Sequence, residues 1–190
     1  MYEAKNFGRL LGMEGFSDTL LRNHFTLYEG YVSNTNKFAE FLKGAEAGTP
    51  PYSEIKRRYG WEWNGMRLHE LYFGNMIKDG APIDKKDALS EKIIEDFGSF
   101  EIWEKDFIAT GGVRGIGWAI LVRDNETGRL FNIWGNEHDG GHLVGATTLL
   151  IMDVFEHAFM FDYGIKRADY IASFKKVIDW SVVSARFARK

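Results

Sequence analysis

The sequence predicts an α+β fold, in which an N-terminal α-helical hairpin lobe precedes a C-terminal lobe with a three-stranded antiparallel sheet and flanking helices. Up to about residue 76, apolar residues recur at steps of three and four, as in amphipathic helices. From Gly117 onward the pattern changes to short apolar or alternating runs that are typical of strands. The turn sequence DNETG at 124–128 separates two of these runs, which indicates an antiparallel hairpin.

Two long helices are predicted in the N-terminal lobe. The first runs from Ser17 to about Lys43, starts at a serine that can cap it, and carries His24 on its apolar face. A stretch rich in glycine and proline then breaks the chain. The second helix runs from Ser53 to about Met76 and holds His69 among apolar neighbours. Together the two helices form a helical hairpin.

The domain boundary is predicted at the linker Asp79–Lys86, which contains Gly80-Ala81-Pro82. It separates a helical lobe at 1–80 from an α+β lobe at 87–190. The predicted elements of the second lobe are helices at about 88–97 and 99–109, strands at 117–122, 129–133 and 147–152, a short helix after residue 157, and a closing helix at 167–188.

Composition favours a well-packed globular protein and disfavours several partners. Hydrophobic residues make up 45% and aromatic residues 15% of the chain. The formal net charge of −3, with both signs interspersed, leaves no basic stripe for nucleic acid and no polybasic patch for a membrane surface. The first residues do not resemble a signal peptide, and apolar runs stay far below the ~20 residues of a membrane span, so a cytoplasmic protein is expected. The absence of cysteine excludes disulfides and thiolate ligands.

The stretch from Asp153 to His157 (DVFEH) is the strongest chemical signal in the sequence. A carboxylate and an imidazole four residues apart, directly after an apolar strand, can reach the same metal ion. His24 and His69 on the predicted helices would complete a set of three histidines and one aspartate, which suits iron or manganese. Zinc is compatible with the same ligand types. With five histidines in the chain, an acidic residue and a histidine four apart also occur by chance, so spacing alone does not favour a metal site over a chance arrangement.

Four landmarks occur in a fixed order along the chain. They are His24, the run HELYF at 69–73, the run GIGWA at 115–119, and the block DVFEHAF at 153–159 with RADY at 167–170. In this order they resemble the iron/manganese superoxide dismutase family over nearly the whole chain. The resemblance implies an enzyme that converts superoxide, a small anion, to dioxygen and hydrogen peroxide by cycling one Fe or Mn ion per subunit. The implied metal ligands are His24, His69, Asp153 and His157.

The resemblance also implies roles for residues that are not ligands. His138 lies where many family members have a glutamine and would contact the metal-bound solvent, unless it is an ordinary surface histidine. A family tyrosine usually stands eight residues after the first ligand, whereas here Val32 takes that place and Tyr31 is one residue short. Tyr31, through a one-residue bulge, or Tyr28 would line the substrate funnel and relay protons, or the relay is absent.

Subunit assembly is implied by Glu156, which would reach across a two-fold axis to a ligand histidine of the partner subunit. A homodimer or homotetramer is therefore expected, with a solvated surface carboxylate as the alternative for Glu156. Met160 departs from the family pattern, which often has a tyrosine there. The aromatic residues expected to wall the cavity are Trp103, Trp118, Trp134 and Phe155.

Two other functions stay open on the sequence. The altered gateway at Tyr28, Tyr31, Val32 and Met160 is compatible with a dismutase-fold protein that retains metal but has weak or no activity and serves a binding or structural role. A mononuclear iron oxygenase would use similar ligands, but it needs an open coordination position and a cavity for an organic substrate.

Overall fold

The fold confirms the predicted α+β class. A computed structural model describes residues 1–189, in which four α-helices precede a single three-stranded antiparallel sheet. The α-helices of this range are α1 (Asp18–Gly44), α2 (Pro50–Gly74), α3 (Ala88–Phe97), α4 (Phe100–Gly111), α5 (Met160–Tyr163), α6 (Arg167–Lys176) and α7 (Trp180–Ala188). The strands are β1 (Gly117–Asp124), β2 (Leu130–Asn136) and β3 (Ala146–Asp153). Within residues 1–189, no helix is both long and apolar enough to cross a membrane.

The helices α1 and α2 pack against each other as the predicted hairpin. The Ser17 hydroxyl accepts a hydrogen bond from the Leu20 backbone N–H and so caps α1. Helix α2 begins at Pro50, three residues before the predicted start. Proline fits the first helical turn because the N–H that it lacks would have no intrahelical partner there.

The sheet has the strand order β2-β1-β3, so β1 is central. Residues 117–122 of β1 are all buried, which explains their continuous apolar run. Helix α4 contacts β1 and β2, while α2 and α7 contact β3. The register pairs Trp118 of β1 directly with Asp153 at the end of β3, so these two side chains lie on the same face of the sheet.

The predicted closing helix is interrupted, forming α6 and α7 instead of one helix. Between them, Ile178 forms an isolated β-bridge with Met76, and the Asp179 N–H donates to the Asn75 carbonyl at 3.0 Å. Backbone groups that would continue the helix are therefore paired with the chain that follows α2. The Asp179 side chain then accepts from the Val182 N–H and caps α7.

Asn75 joins the end of α2 to β3. It is fully buried, and its side chain donates to the Ile151 carbonyl (3.2 Å) and accepts from the Ile151 N–H (3.1 Å). The Arg186 guanidinium of α7 also donates to the Asn75 side-chain oxygen, at 3.1 Å. Because His69 precedes Asn75 on α2 and Asp153 follows Ile151 on β3, these bonds fix the distance between the helix and the strand that carry them.

Candidate metal centre and active site

Four side chains from distant parts of the chain converge on one point. Their nearest ligand-type atoms all lie within 4.8 Å of one another. The Nε2 atoms of His24, His69 and His157 are 3.2, 3.5 and 3.1 Å from Oδ2 of Asp153. His24, His69 and Asp153 are buried, whereas the His157 side chain is 26% exposed. Helix α1, helix α2, the end of β3 and the turn after it each supply one member of this cluster, which we call the His₃Asp cluster.

The His₃Asp cluster fits an iron or manganese ion. Among the described residues, Nε2 of His24 and Nε2 of His69 are buried without a hydrogen-bond partner, a condition that is rare for polar atoms in protein interiors. Nδ1 of His69 donates to the Gly65 carbonyl at 2.6 Å, so Nε2 carries a free lone pair that points into the cluster. Three imidazole nitrogens and one carboxylate oxygen form a donor set that these metals accept.

The electrostatics of the cluster favour neutral rings at His24 and His69 beside an ionised Asp153. Burial lowers the pKa of His24 and that of His69, so both rings are neutral at pH 7. Burial opposes ionisation of Asp153, but the charge and hydrogen bond of His157 and the close approach of His24 Nε2, at 3.2 Å, hold the pKa of this carboxyl below its ordinary value. The Phe155 N–H also donates to Oδ1 of Asp153, at 2.8 Å. Deprotonated groups of these kinds are what metal binding requires.

A second layer of hydrogen bonds holds the cluster in place. The Tyr170 hydroxyl donates to the Asp153 carbonyl at 2.6 Å, and Tyr72 donates in turn to the Tyr170 oxygen at 3.0 Å. The guanidinium of Arg167 donates to two carbonyls of the loop that precedes β1, each at 2.8 Å. The RADY sequence of the resemblance therefore lies beside the cluster and supports the ends of β1 and β3.

His138 is fully buried and lies next to the cluster. The Trp118 indole N–H donates to Nδ1 of His138 at 3.1 Å, so the proton of the neutral ring is on Nε2. Nε2–H then donates to the Tyr31 hydroxyl oxygen at 2.7 Å. Burial lowers the pKa of His138 to about 4. The ring is therefore neutral at pH 7, has one defined tautomer, and connects Trp118 to Tyr31.

Tyr31 reaches the site without a helical bulge. Helix α1 is regular from Asp18 to Gly44, and seven residues correspond to about two turns, so Tyr31 lies on the same face as His24. The Tyr31 ring stacks on the His69 ring, with centroids 5.2 Å apart and planes at 27°. The bulge expected from the family spacing is therefore unnecessary.

Tyr28 occupies a different network. It is fully buried, and its hydroxyl donates to Glu70 at 3.2 Å and accepts from the Lys5 N–H at 2.9 Å. Burial raises the pKa of Tyr28 to about 12. Lys5 and Arg67 both form ion pairs with Glu70, at 2.9 and 2.7 Å. The Tyr28 hydroxyl thus anchors the N-terminal segment to the helical hairpin.

The expected aromatic wall is only partly present. Phe155 lies 4.7 Å from His138 and 5.0 Å from His157 between ring centroids, and Trp118 lies 5.1 Å from His69. Trp103 instead packs against Phe107 and Trp180, and its indole N–H donates to Asn132 at 3.0 Å. Trp134 lies beside Gly115, at the start of the hairpin.

Two residues contact His138 that the sequence did not predict to lie near it. The Trp61 ring contacts the His138 ring edge-on, with centroids 4.9 Å apart, and Asn64 donates to the His138 carbonyl at 2.8 Å. A sequence signal for Trp61 existed, because Trp61, Gly65 and His69 follow one another at four-residue steps on α2. Asn64 carried no comparable signal, since its partner is a loop carbonyl that only the tertiary fold brings near.

Gly65 makes room for the Tyr31 ring, which gives a test of this packing. A Cβ atom at Gly65 would lie 2.5 Å from Cδ1 of Tyr31. We therefore expect Gly65→Ala to lower the free energy of unfolding by about 1–3 kcal/mol. Gly60→Ala, on the same helix with open space around it, should raise that free energy by up to about 1 kcal/mol. Denaturant unfolding of both variants measures the difference, and equal shifts would contradict the packing argument.

Comparison with known proteins agrees with this geometry. The C-terminal domain of iron/manganese superoxide dismutases matches residues 85–186. A manganese superoxide dismutase of Haloferax volcanii is 38% identical over 87% of this chain and 83% of its own length. An iron superoxide dismutase of Cupriavidus metallidurans is 35% identical over 99% of this chain and 97% of its own length. The chain belongs to the iron/manganese superoxide dismutase family.

The family model and the alignments with relatives together cover both parts of the His₃Asp cluster. Asp153 and His157 lie within the matched C-terminal domain, and His24 and His69 lie in the helical part. That part is included in the alignment with an iron superoxide dismutase of Aquifex pyrophilus, which is 34% identical over 98% of this chain and 91% of its own length. Iron and manganese superoxide dismutases both occur among the relatives, so the likeness covers both metals in the family name.

Proposed function

We propose that the protein is a superoxide dismutase, which converts superoxide to dioxygen and hydrogen peroxide with one Fe or Mn ion per subunit. The observation that carries the proposal is the convergence of three imidazole Nε2 atoms on the Asp153 carboxylate, in a chain of this family. His24, His69, Asp153 and His157 would hold the ion. When bound, it would supply the redox chemistry by taking an electron from one superoxide and giving it to another.

The protein's own part in this reaction is to hold the donor set and to manage protons. Asp153 supplies the negative charge of the cluster. The Phe155 N–H holds its carboxylate in one orientation, and the Tyr170 hydroxyl holds its backbone carbonyl. Formation of hydrogen peroxide consumes protons, so a donor beside the cluster is needed. Because Tyr31 accepts a hydrogen bond from His138, its own phenol hydrogen remains available to donate toward the site. In this proposal Tyr31 is the proton-holding residue, and His138, held by Trp118, positions it.

A superoxide assay with xanthine oxidase as the source, performed on protein loaded separately with iron and manganese, tests the proposal. We expect activity well above that of the same amount of free metal with at least one of the two ions. Full metal occupancy with activity no greater than free metal would overturn the proposal, and would favour instead a protein that retains metal in a binding or structural role.

We also propose that the protein forms a homodimer through the surface around Glu156. The Glu156 side chain is exposed and adjoins His157. Large apolar side chains are exposed nearby on α5 and the loop after it, and a depression of about 420 Å³ lies beside them. They are Met160 (47% exposed), Phe161 (63%) and Ile165 (92%). A second copy would cover this surface and the exposed part of His157.

Glu156→Ala tests the role of Glu156 in this dimer. If Glu156 pairs with a buried group of the partner subunit, its removal should raise the dimer dissociation constant by about tenfold or more. Sedimentation equilibrium over a range of protein concentrations measures the constant. Glu126→Ala, which removes an exposed carboxylate from the turn between β1 and β2, should leave it unchanged. An unaltered constant for Glu156→Ala would argue against the pairing. The same sedimentation experiment would detect a tetramer from its mass.

The cytoplasmic location of the protein remains a prediction from the sequence.

A further inference from the structure

One arginine lies at the solvent-facing end of the contacts that lead to Tyr31. The Arg58 guanidinium lies over the Trp61 ring, 4.9 Å from its centroid, and the Arg58 side chain is 46% exposed. The Trp61 ring in turn contacts His138, which donates to the Tyr31 hydroxyl. Arg58 and Trp61 are thus joined to the proposed proton-holding residue by a short series of direct contacts.

A nearly buried carboxylate lies beside the same contacts. The Glu62 side chain is 8% exposed, and Asn34 donates to its Oε2 at 3.2 Å. Nη2 of Arg58 is 3.9 Å from Oε1 of Glu62, which is a loose ion pair. An ionised Glu62 repels an approaching anion, and the positive charge of Arg58 offsets that repulsion.

We propose that Arg58 is a steering residue, which draws the superoxide anion toward the half-buried rings of Tyr31 and Trp61 and offsets the repulsion from Glu62. The inference rests on the proposed dismutase activity. Arginine suits this role because it stays charged at any relevant pH, and its stacking on an indole holds the charge in one place. A fixed charge beside a site raises the association rate of a small ion of opposite sign, and salt weakens the effect.

Arg58→Gln and Arg57→Gln make a matched pair for the test. Both remove one positive charge from neighbouring positions on α2, but Arg57 pairs with the exposed Glu54 at 3.3 Å. At low ionic strength we expect Arg58→Gln to lower kcat/KM by about threefold to tenfold and to flatten its dependence on salt, with kcat nearly unchanged. Arg57→Gln should match the wild type, Arg58→Lys should retain most of the rate, and Arg58→Gln with Glu62→Gln should recover part of the loss.

A second measurement separates this inference from the proposed activity. Quenching of tryptophan fluorescence by iodide, an anion, should weaken in Arg58→Gln relative to quenching by neutral acrylamide, and should not weaken in Arg57→Gln. Weaker iodide quenching in a protein without dismutase activity would support anion attraction and defeat the proposed function. Equal kcat/KM, salt dependence and iodide quenching in the two variants would overturn the steering role, as would a loss of kcat alone.

Discussion

Asp153→Ala is expected to remove both bound metal and dismutase activity, with turnover falling at least about 100-fold. The Oδ2 atom of Asp153 is the point on which the three Nε2 atoms of the His₃Asp cluster converge, and its carboxylate is the negative charge of that cluster. Without it, the doubly or triply charged ion would lie in a buried site among three imidazoles and no carboxylate, so its charge would not be compensated. Elemental analysis and the superoxide assay on the same sample measure the two losses.

Two further variants make this result interpretable. Asp153→Asn keeps the size of the side chain and an oxygen that can accept from the Phe155 N–H, so it isolates the loss of charge. Asp169→Ala removes an exposed carboxylate from the first turn of α6 and should retain metal and activity. Circular dichroism reports whether each variant is folded. A folded Asp153→Ala protein with normal metal content and turnover would defeat the assignment of this cluster.

His138→Leu should lower activity by about 10–100-fold while metal content stays near that of the wild type. Leucine fills a similar space but can neither accept from the Trp118 indole N–H nor donate to the Tyr31 oxygen. The variant would therefore leave a buried donor without a partner and release Tyr31 from its fixed position. Steady-state superoxide kinetics and metal analysis measure the two quantities.

His138→Gln is the matched control because an amide can reproduce both hydrogen bonds. Its oxygen can accept from Trp118, and its nitrogen can donate to Tyr31. We expect it to retain most of the activity that His138→Leu loses. If both variants lost the same activity, a positioning role through these two hydrogen bonds would be wrong. The shape of the imidazole ring would then account for the loss.

Helical periodicity is informative where the relevant spacings are local. His24 and Tyr31 are two turns apart on one helix, so a regular helix places them on one face without the one-residue bulge that the family spacing suggested. The pairing of Trp118 with Asp153 could not be predicted in the same way, since strand register depends on tertiary packing. The same reason explains why the break before α7 was missed, because the competing partners Asn75 and Met76 are about a hundred residues away.

The burial of individual polar side chains, and the charges that lie beside them, were the hardest features to predict from the sequence. The sequence is compatible with His138 as an exposed loop residue or as a buried one. The structure shows that it is buried and accepts a hydrogen bond from the Trp118 indole N–H. The carbonyl of His138 accepts from both Asn64 and His142, at 2.8 Å each, and this holds the loop over the site. Composition also gave no indication that Glu62 is nearly buried beside an arginine. Such arrangements arise from long-range contacts that no local pattern encodes.

The seven-residue interval between His24 and Tyr31 places both side chains on the face of α1 that meets the His₃Asp cluster. One residue inserted between them would turn the tyrosine about 100° around the helix axis, away from the His69 ring on which it stacks. To bring the tyrosine ring back against His69, that turn of the helix would need a π-bulge, in which one backbone hydrogen bond joins residues five apart. This chain reaches the alignment without any such distortion, because α1 is a regular helix from Asp18 to Gly44.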